Sequence, residues 1–191
     1  VEAANAAGIP VYKRSDVIAE IMRGQRAIAV AGVHGKTTTT ALIATIFMEN
    51  GYDPSYIIGT GSIPTLQKPG HFGKGKYFVI EADEYATEPK HDKNARFLWL
   101  HPEIAVITNI EHDHPDIYPS IEDVRMAFTR FTNNIQDGGV LICCGDDKEA
   151  ASVHKHYRGR KISYGFSPAN EYVIKRMTSS NEHTFFSLES K

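Results

Sequence analysis

Three short stretches of this chain carry residues whose types and spacing suit a phosphate-bearing ligand. The first is Gly32-Val33-His34-Gly35-Lys36-Thr37. Main-chain N–H groups at the start of a helix hold anionic oxygens, and glycine lets the backbone come close to them. In such a loop Gly32, His34 and Gly35 shape the cradle, and Lys36 offers a point charge to the β- and γ-phosphates of a nucleotide. The Thr37 hydroxyl is a ligand for Mg2+, with Thr38 beside it. The spacing is the short form G-x-x-G-K-T, because the first glycine of the longer pattern falls on Val30. The second stretch is Glu81-Ala82-Asp83-Glu84, which follows an apolar run. A carboxylate at a strand tip can hold a magnesium ion on a nucleotide, whereas Asp83 alone reads equally well as part of a solvated acidic turn. The third is Glu111-His112-Asp113-His114-Pro115-Asp116. Two chemistries fit it: a transition-metal site, since His and Asp bind zinc, or a magnesium site in which one His joins mostly oxygen ligands. The phosphate loop favours magnesium, a hard ion that goes with phosphate oxygens.

Each stretch needs an element to place it. Residues 27–31 are a short continuous apolar run, the pattern of a strand buried on both faces, and a helix is expected over 37–50 with Gly51 as its stop. Strand, glycine loop and helix open a nucleotide-binding α/β domain. Residues 77–80 predict the strand that ends at Glu81, and 104–107 the one that ends at Thr108-Asn109. Ser120 with Asp123 reads as a helix start of capping-box type, and Ile121, Val124, Phe128, Phe131 and Ile135 step along one apolar face until Asp137-Gly138-Gly139. Residues 140–142 predict another buried strand, running into Cys143-Cys144. Ahead of these elements, 8–11 reads as an extended segment, and Ser15 as the cap of a helix bearing Val17, Ile18, Ile21 and Met22 and ending at Gly24. After Gly159 the rhythm shortens to strands at 161–164, 172–177 and 184–188, an antiparallel addition at the edge. The fold class expected is therefore α/β: a P-loop-containing, mostly parallel sheet flanked by helices, with a small antiparallel addition near the C-terminus.

Composition narrows the setting. The 191 residues have a formal net charge of −2, which gives no electrostatic footprint for nucleic acid or a membrane surface. No apolar run approaches the ~18–20 residues of a membrane span, and no signal-peptide pattern opens the chain. Two adjacent cysteines in an apolar run read as buried strand residues and suit a reducing, cytoplasmic setting. Residues 59–75 are rich in glycine and proline; His71, Lys74 and Lys76 there could meet a diphosphate, though a solvated loop is the plainer reading.

The run from Ala29 to Thr40, with Glu81-Ala82-Asp83-Glu84 and the stretch from Thr108 to Tyr118, resembles the Mur ligases. Tyr164-Gly165-Phe166-Ser167 and Gly8-Ile9-Pro10-Val11 also look like that family. The resemblance implies an ATP- and Mg2+-dependent enzyme of peptidoglycan precursor synthesis that makes an amide bond through an acyl phosphate. Lys36 and Thr37 would contact phosphates and a first magnesium; Glu81 and His114 would be magnesium ligands near the γ-phosphate; Asn109 would lie at the nucleotide. It further implies residues 1–25 as a lead-in from an N-terminal UDP-sugar domain and 26–191 as the central ATP-binding domain, cut short before the adenine contacts. The substrates implied are UDP-N-acetylmuramate and L-alanine. However, the stretch from Tyr85 through His91 to Phe97 looks more like the recycling branch, which adds a whole murein tripeptide. Some Mur ligases use a carbamylated lysine beside the second magnesium; no lysine occurs between Lys93 and Lys148, which agrees with these two branches. A nucleotide-binding module without turnover and a metal-dependent hydrolase on the His-Asp-His cluster are the alternatives from other classes.

Overall fold

The computed structural model describes residues 1–88, 92–181 and 183–191. In chain order its elements are α1 (Glu2–Ala6), α2 (Arg14–Met22), β1 (Arg26–Ala31), α3 (Lys36–Glu49), β2 (Ser55–Ile57), β3 (Gly70–His71), β4 (Tyr77–Glu81), β5 (Ala86–Glu88) and β6 (Asp92–Ala95). A short 3-10 helix (Arg96–Trp99) follows, then β7 (Ile104–Ile107), α4 (Ile121–Thr132), β8 (Val140–Cys144), α5 (Lys148–His156), β9 (Arg160–Gly165), β10 (Tyr172–Ser180) and β11 (His183–Ser190).

The main sheet has the order β11-β10-β9-β8-β7-β1-β4-β2-β3, and β5 and β6 form a hairpin of their own. All pairings from β10 across to β2 are parallel. The two edge strands, β11 and β3, join antiparallel. β1 lies inside the sheet between β7 and β4, and five of its six residues are buried. A parallel strand covered on both faces must be apolar throughout, which is why residues 27–31 show no alternation. The two faces take alternate residues: Ala27, Ala29 and Ala31 join one core cluster, Ile28 the other.

The larger cluster is covered by α4, whose Val124, Phe128 and Phe131 are almost wholly buried. Phe97 stacks on Phe131 (centroids 4.8 Å apart) and meets Phe128 edge-on at 5.2 Å. Burying each such ring contributes roughly 1.5–3 kcal/mol. The start of α4 is fixed as its sequence predicts: the Asp123 N–H donates to Ser120 Oγ (3.3 Å) and the Ser120 N–H to Asp123 Oδ2 (3.0 Å). α3 covers the opposite face, with Ala44 packed against Tyr56, Ile58 and Val79, and stops at Gly51 (φ 74).

Two expectations change. Ser15 does not cap α2; it lies within the first turn, and the Lys13 N–H at the helix entrance is taken by Asp16 Oδ2 at 3.2 Å. A carboxylate three residues on reaches that N–H, whereas Ser15 is already helical. The antiparallel addition shrinks to the β10–β11 hairpin, because α5 is a crossover helix that returns β9 parallel to β8. Of the apolar face expected on α2, Met22 belongs to the larger core cluster and Ile18 packs against it, while Val17 and Ile21 stay exposed. Cys143 is buried in β8, where burial raises its thiol pKa, and both cysteines are free. Among the described residues no helix is long and apolar enough to cross a membrane.

Candidate active site

The chain leaves β1 at Ala31 and enters α3 at Lys36 through a loop whose shape is imposed from next door. Gly32 has φ +135, and a Cβ there would lie 2.0 Å from Thr108 Oγ1. Only glycine fits so close a crossing. The loop is then clasped by the end of β7. The Val33 N–H donates to Asn109 O (3.3 Å) and the His34 N–H to Asn109 Oδ1 (2.9 Å). In return, Asn109 Nδ2 (2.8 Å) and Thr108 Oγ1 (2.7 Å) both donate to His34 O. Asn109 therefore spends its amide on the loop backbone. Thr108 is the partner that motif reading missed; its signal is a hydroxyl residue at the tip of the strand beside β1. Gly35, at φ 79, sets up the first turn of α3. Thr37 and Thr38 follow in that turn, half-buried and exposed, and Thr40 turns inward to donate to Lys36 O at 2.8 Å.

The end of β4 supplies two carboxylates with different surroundings. Glu81 accepts the Gly59 N–H at 3.0 Å. Gly59 leaves room for it, since a Cβ there would sit 2.7 Å from Glu81 Oε2. Glu84 is 2% exposed. Its carboxylate takes the Lys36 ammonium at 2.9 and 3.1 Å, while Lys36 also donates to Gly32 O at 2.5 Å. A buried charge needs such a partner. The Tyr118 hydroxyl donates to Glu84 O; burial, then the nearby Glu84 and Asp83 charges, push that phenol up to about 12. Asp83 pairs with Arg96 at 2.6 Å.

His114 stands in the left-handed region at φ 57, with its N–H held by Asp113 Oδ1 at 2.7 Å. Its Nε2 lies 3.6 Å from both Glu84 Oε1 and Asp113 Oδ2, and the three side chains offer atoms within 4.8 Å of one another. Tyr85 packs on the imidazole with centroids 4.7 Å apart and donates to Asp116 Oδ2, a bond that raises its own pKa. His112 instead bonds Tyr118 O at 2.9 Å, a turn contact. His34 is exposed, 3.6 Å from Glu111. Thus His114 meets Glu84 and Asp113, whereas Glu81 lies against Gly59.

A cavity of about 580 Å3 opens beside the loop. Lys36, Gly59 and Glu81 line it together with Arg14 of α2, Glu88 of β5 and Arg96. Lys13, which also lines it, pairs with Asp92 of β6 at 3.1 Å.

The family described as the Mur ligase middle domain matches residues 30–191, which include every loop of this site. The chain belongs to the Mur ligase family. A UDP-N-acetylmuramate--L-alanine ligase of Carboxydothermus hydrogenoformans is 41% identical over 168 residues, 88% of this chain and 34% of that protein. One of Solidesulfovibrio magneticus is 44% identical over 167 residues, 87% of this chain and 35% of that protein. The chain thus spans about a third of the length of these curated relatives. The Neisseria meningitides UDP-N-acetylmuramate:L-alanyl-gamma-D-glutamyl-meso-diaminopimelate ligase superposes with a TM-score of 0.83 at 23% identity, over 99% of this chain and 60% of that one. The Thermotoga maritima UDP-N-acetylmuramate-alanine ligase gives 0.77 at 22%, over 98% and 40%. These structural likenesses establish the Mur ligase fold.

In this Mur ligase middle domain, residues 59–75 serve structure more than the site. His71 pairs with Asp53 at 2.8 Å, and the Lys74 N–H donates to the same carboxylate at 2.8 Å. These bonds, the Lys74 N–H first, hold Asp53 below the usual carboxylate range. Only Gly59, at the start of the segment, reaches the site. Of the stretch that looked like the recycling branch, His91 lies outside the described residues; Asp92, Asn94 and Arg96 build β6 and the turn after it.

Proposed function

We propose that this chain is the ATP-binding part of a ligase that joins L-alanine to UDP-N-acetylmuramate. The carboxylate of the sugar nucleotide takes the γ-phosphoryl group of ATP; the amine then attacks the acyl phosphate and expels phosphate. The chemical obstacle is charge, because an anionic carboxylate must approach an anionic phosphate. The observation that carries the reading is that Lys36 and Glu81 line one cavity beside the glycine loop. The loop N–H groups and Lys36 would bind the nucleotide phosphates, and the cavity would admit the carboxylate substrate. The donor set fits magnesium: a hydroxyl, carboxylates and one imidazole, mostly oxygen. Thr37, Glu81 and His114 would hold it, with Glu84 and Asp113 beside them, and it would supply neutralisation of phosphate charge. Residues 26–191 would form the ATP-binding domain, with 1–25 its lead-in.

The names of the relatives support L-alanine as the amine. A second reading is addition of a murein tripeptide, favoured by one observation: Thr87 and Glu88 of the β5–β6 hairpin, and Arg96 after it, line the cavity.

Titration calorimetry of this chain with ATP and magnesium, beside Lys36→Ala, tests the nucleotide site. Magnesium-dependent binding that the variant strongly weakens is the expected result, and wild-type affinity in Lys36→Ala would reject the loop. By itself the chain should form no amide. A full-length enzyme assayed with L-alanine and with tripeptide separates the two acceptor readings.

A further inference from the structure

Glu84 stands beside the proposed magnesium ligands but is not one of them, and it is the most buried charged group of the site. It lies on the turn after β4, and its side chain is 3% exposed. Lys36 comes to it from the first turn of α3. All three N–H donors of the Lys36 ammonium can be satisfied within the chain, by Gly32 O at 2.5 Å and by Glu84 Oε2 and Oε1 at 2.9 and 3.1 Å. The lysine is thus folded back over its own loop. The carboxylate is fixed in turn: the Tyr118 hydroxyl holds the Glu84 main chain, and His114 Nε2 stands 3.6 Å from Oε1.

A phosphate entering the loop needs the same ammonium. A buried charge pair of this kind cannot be opened without replacement, since each partner would be left desolvated and alone. We propose that Glu84 is a positioning residue for nucleotide loading: it parks Lys36 in the empty loop and releases it to the incoming phosphates. The inference rests on the reading that the loop binds a nucleotide. Lys36 exchanges one anionic partner for another, so it is never buried without a counter-charge. The apo pair then acts as a competitor, and apparent nucleotide affinity is lowered by the share of molecules in which the lysine is parked. After release, the Glu84 carboxylate still has the His114 ring in reach.

The test is a double-mutant cycle on ADP affinity in saturating magnesium, with wild type, Glu84→Gln, Lys36→Ala and the double variant. Glutamine keeps the shape and removes the charge. Glu84→Gln should bind ADP about 5- to 10-fold tighter than wild type, from the strength of a charged hydrogen bond that no longer competes. In the Lys36→Ala background the same change should do almost nothing. A gain of equal size in both backgrounds would reduce the effect to removal of a nearby negative charge and overturn the proposal. So would an unchanged or weakened affinity in Glu84→Gln with wild-type melting. Should Glu84→Gln melt early, the wild type decides. With 15N-labelled lysine, the Lys36 ammonium should be protected from proton exchange in the empty chain and shift on adding ADP; a freely exchanging ammonium in the empty chain overturns the idea. ADP binding that is lost in Lys36→Ala and unmoved in Glu84→Gln refutes the inference alone. A wild type that takes up no ADP removes the nucleotide reading, and this inference with it.

Discussion

Replacing Gly32 by alanine tests whether the loop owes its shape to the strand beside it. Two costs can be worked from the geometry. At φ +135 a residue with a Cβ is strained by roughly 1–3 kcal/mol. The new methyl would also stand 2.0 Å from Thr108 Oγ1, 3.0 Å from Asn109 O and 3.1 Å from Asn109 N. The hydroxyl must therefore move, giving up the bond that its single hydrogen donates to His34 O (2.7 Å). That bond contributes about 1 kcal/mol net. The sum is about 2–4 kcal/mol, which in a domain of this size lowers the melting temperature by about 4–16 °C. If the loop relaxes instead, the clasp at Asn109 opens and nucleotide affinity falls by at least about 30-fold. Calorimetry with ADP and magnesium, beside thermal melting, reads both. Adding Thr108→Ala should restore part of the loss, because it clears the nearest atom and leaves the φ strain. Gly32→Ala with wild-type melting and wild-type affinity would refute the argument.

Other outcomes follow from the same geometry. Gly59→Ala would put a methyl 2.7 Å from Glu81 Oε2 and displace that carboxylate; the magnesium concentration for half-maximal ADP binding should rise severalfold, and an unchanged magnesium titration would count against Glu81 as a ligand. Phe128→Ala empties a fully buried ring site of α4 against Phe97 and should cost about 3–5 kcal/mol in urea unfolding. Burial, reinforced by Cys144 and Cys143, pushes Tyr164 up to about 12. The unfolded chain releases that proton near pH 10 while the folded chain still holds it. Its stabilisation is therefore complete below about pH 10 and lost as pH rises through about 12. Urea unfolding across that range should show the fall, and Tyr164→Phe should flatten it; an identical decline in the variant would refute the assignment.

How much of this was legible in the sequence depends on whether a local signal sufficed. The strands of the central sheet were legible because burial on both faces leaves only apolar residues, as in Arg26–Ala31 and Ile104–Ile107. α4 was legible because its cap and its apolar stripe agree. The nine-residue α5 carries only Ala150 and Val153 as buried residues, too few to show a period, and its Asp147 cap reads locally as a turn. Missing it hides a crossover, and that is why β9 was expected antiparallel. The loop lysine and both acidic motifs could be read one by one. Their partners could not: the pairing of Lys36 with Glu84, 48 residues away, and of His34 with Asn109, 75 away, has no local trace.

The sheet order explains why three motifs so far apart in sequence form one site. β7, β1 and β4 are neighbours and run parallel, with Val30 paired to both Glu81 and Val106. Their carboxyl ends therefore emerge side by side, and ligands of open α/β sheets bind there. The phosphate loop leaves β1, the acidic turn leaves β4 and the histidine turn leaves β7. Each flanking strand gives the loop something different: β7 holds its backbone through Thr108 and Asn109, whereas β4 holds its charge through Glu84. This division makes a separable demand on experiment. Asn109→Ala should weaken nucleotide binding and lower melting together, because it loosens the loop itself, while Glu84→Gln should move affinity in the opposite direction. Two substitutions on opposite sides of one strand that shifted ADP affinity the same way would show that the loop has a single support, and the division argued here would fail.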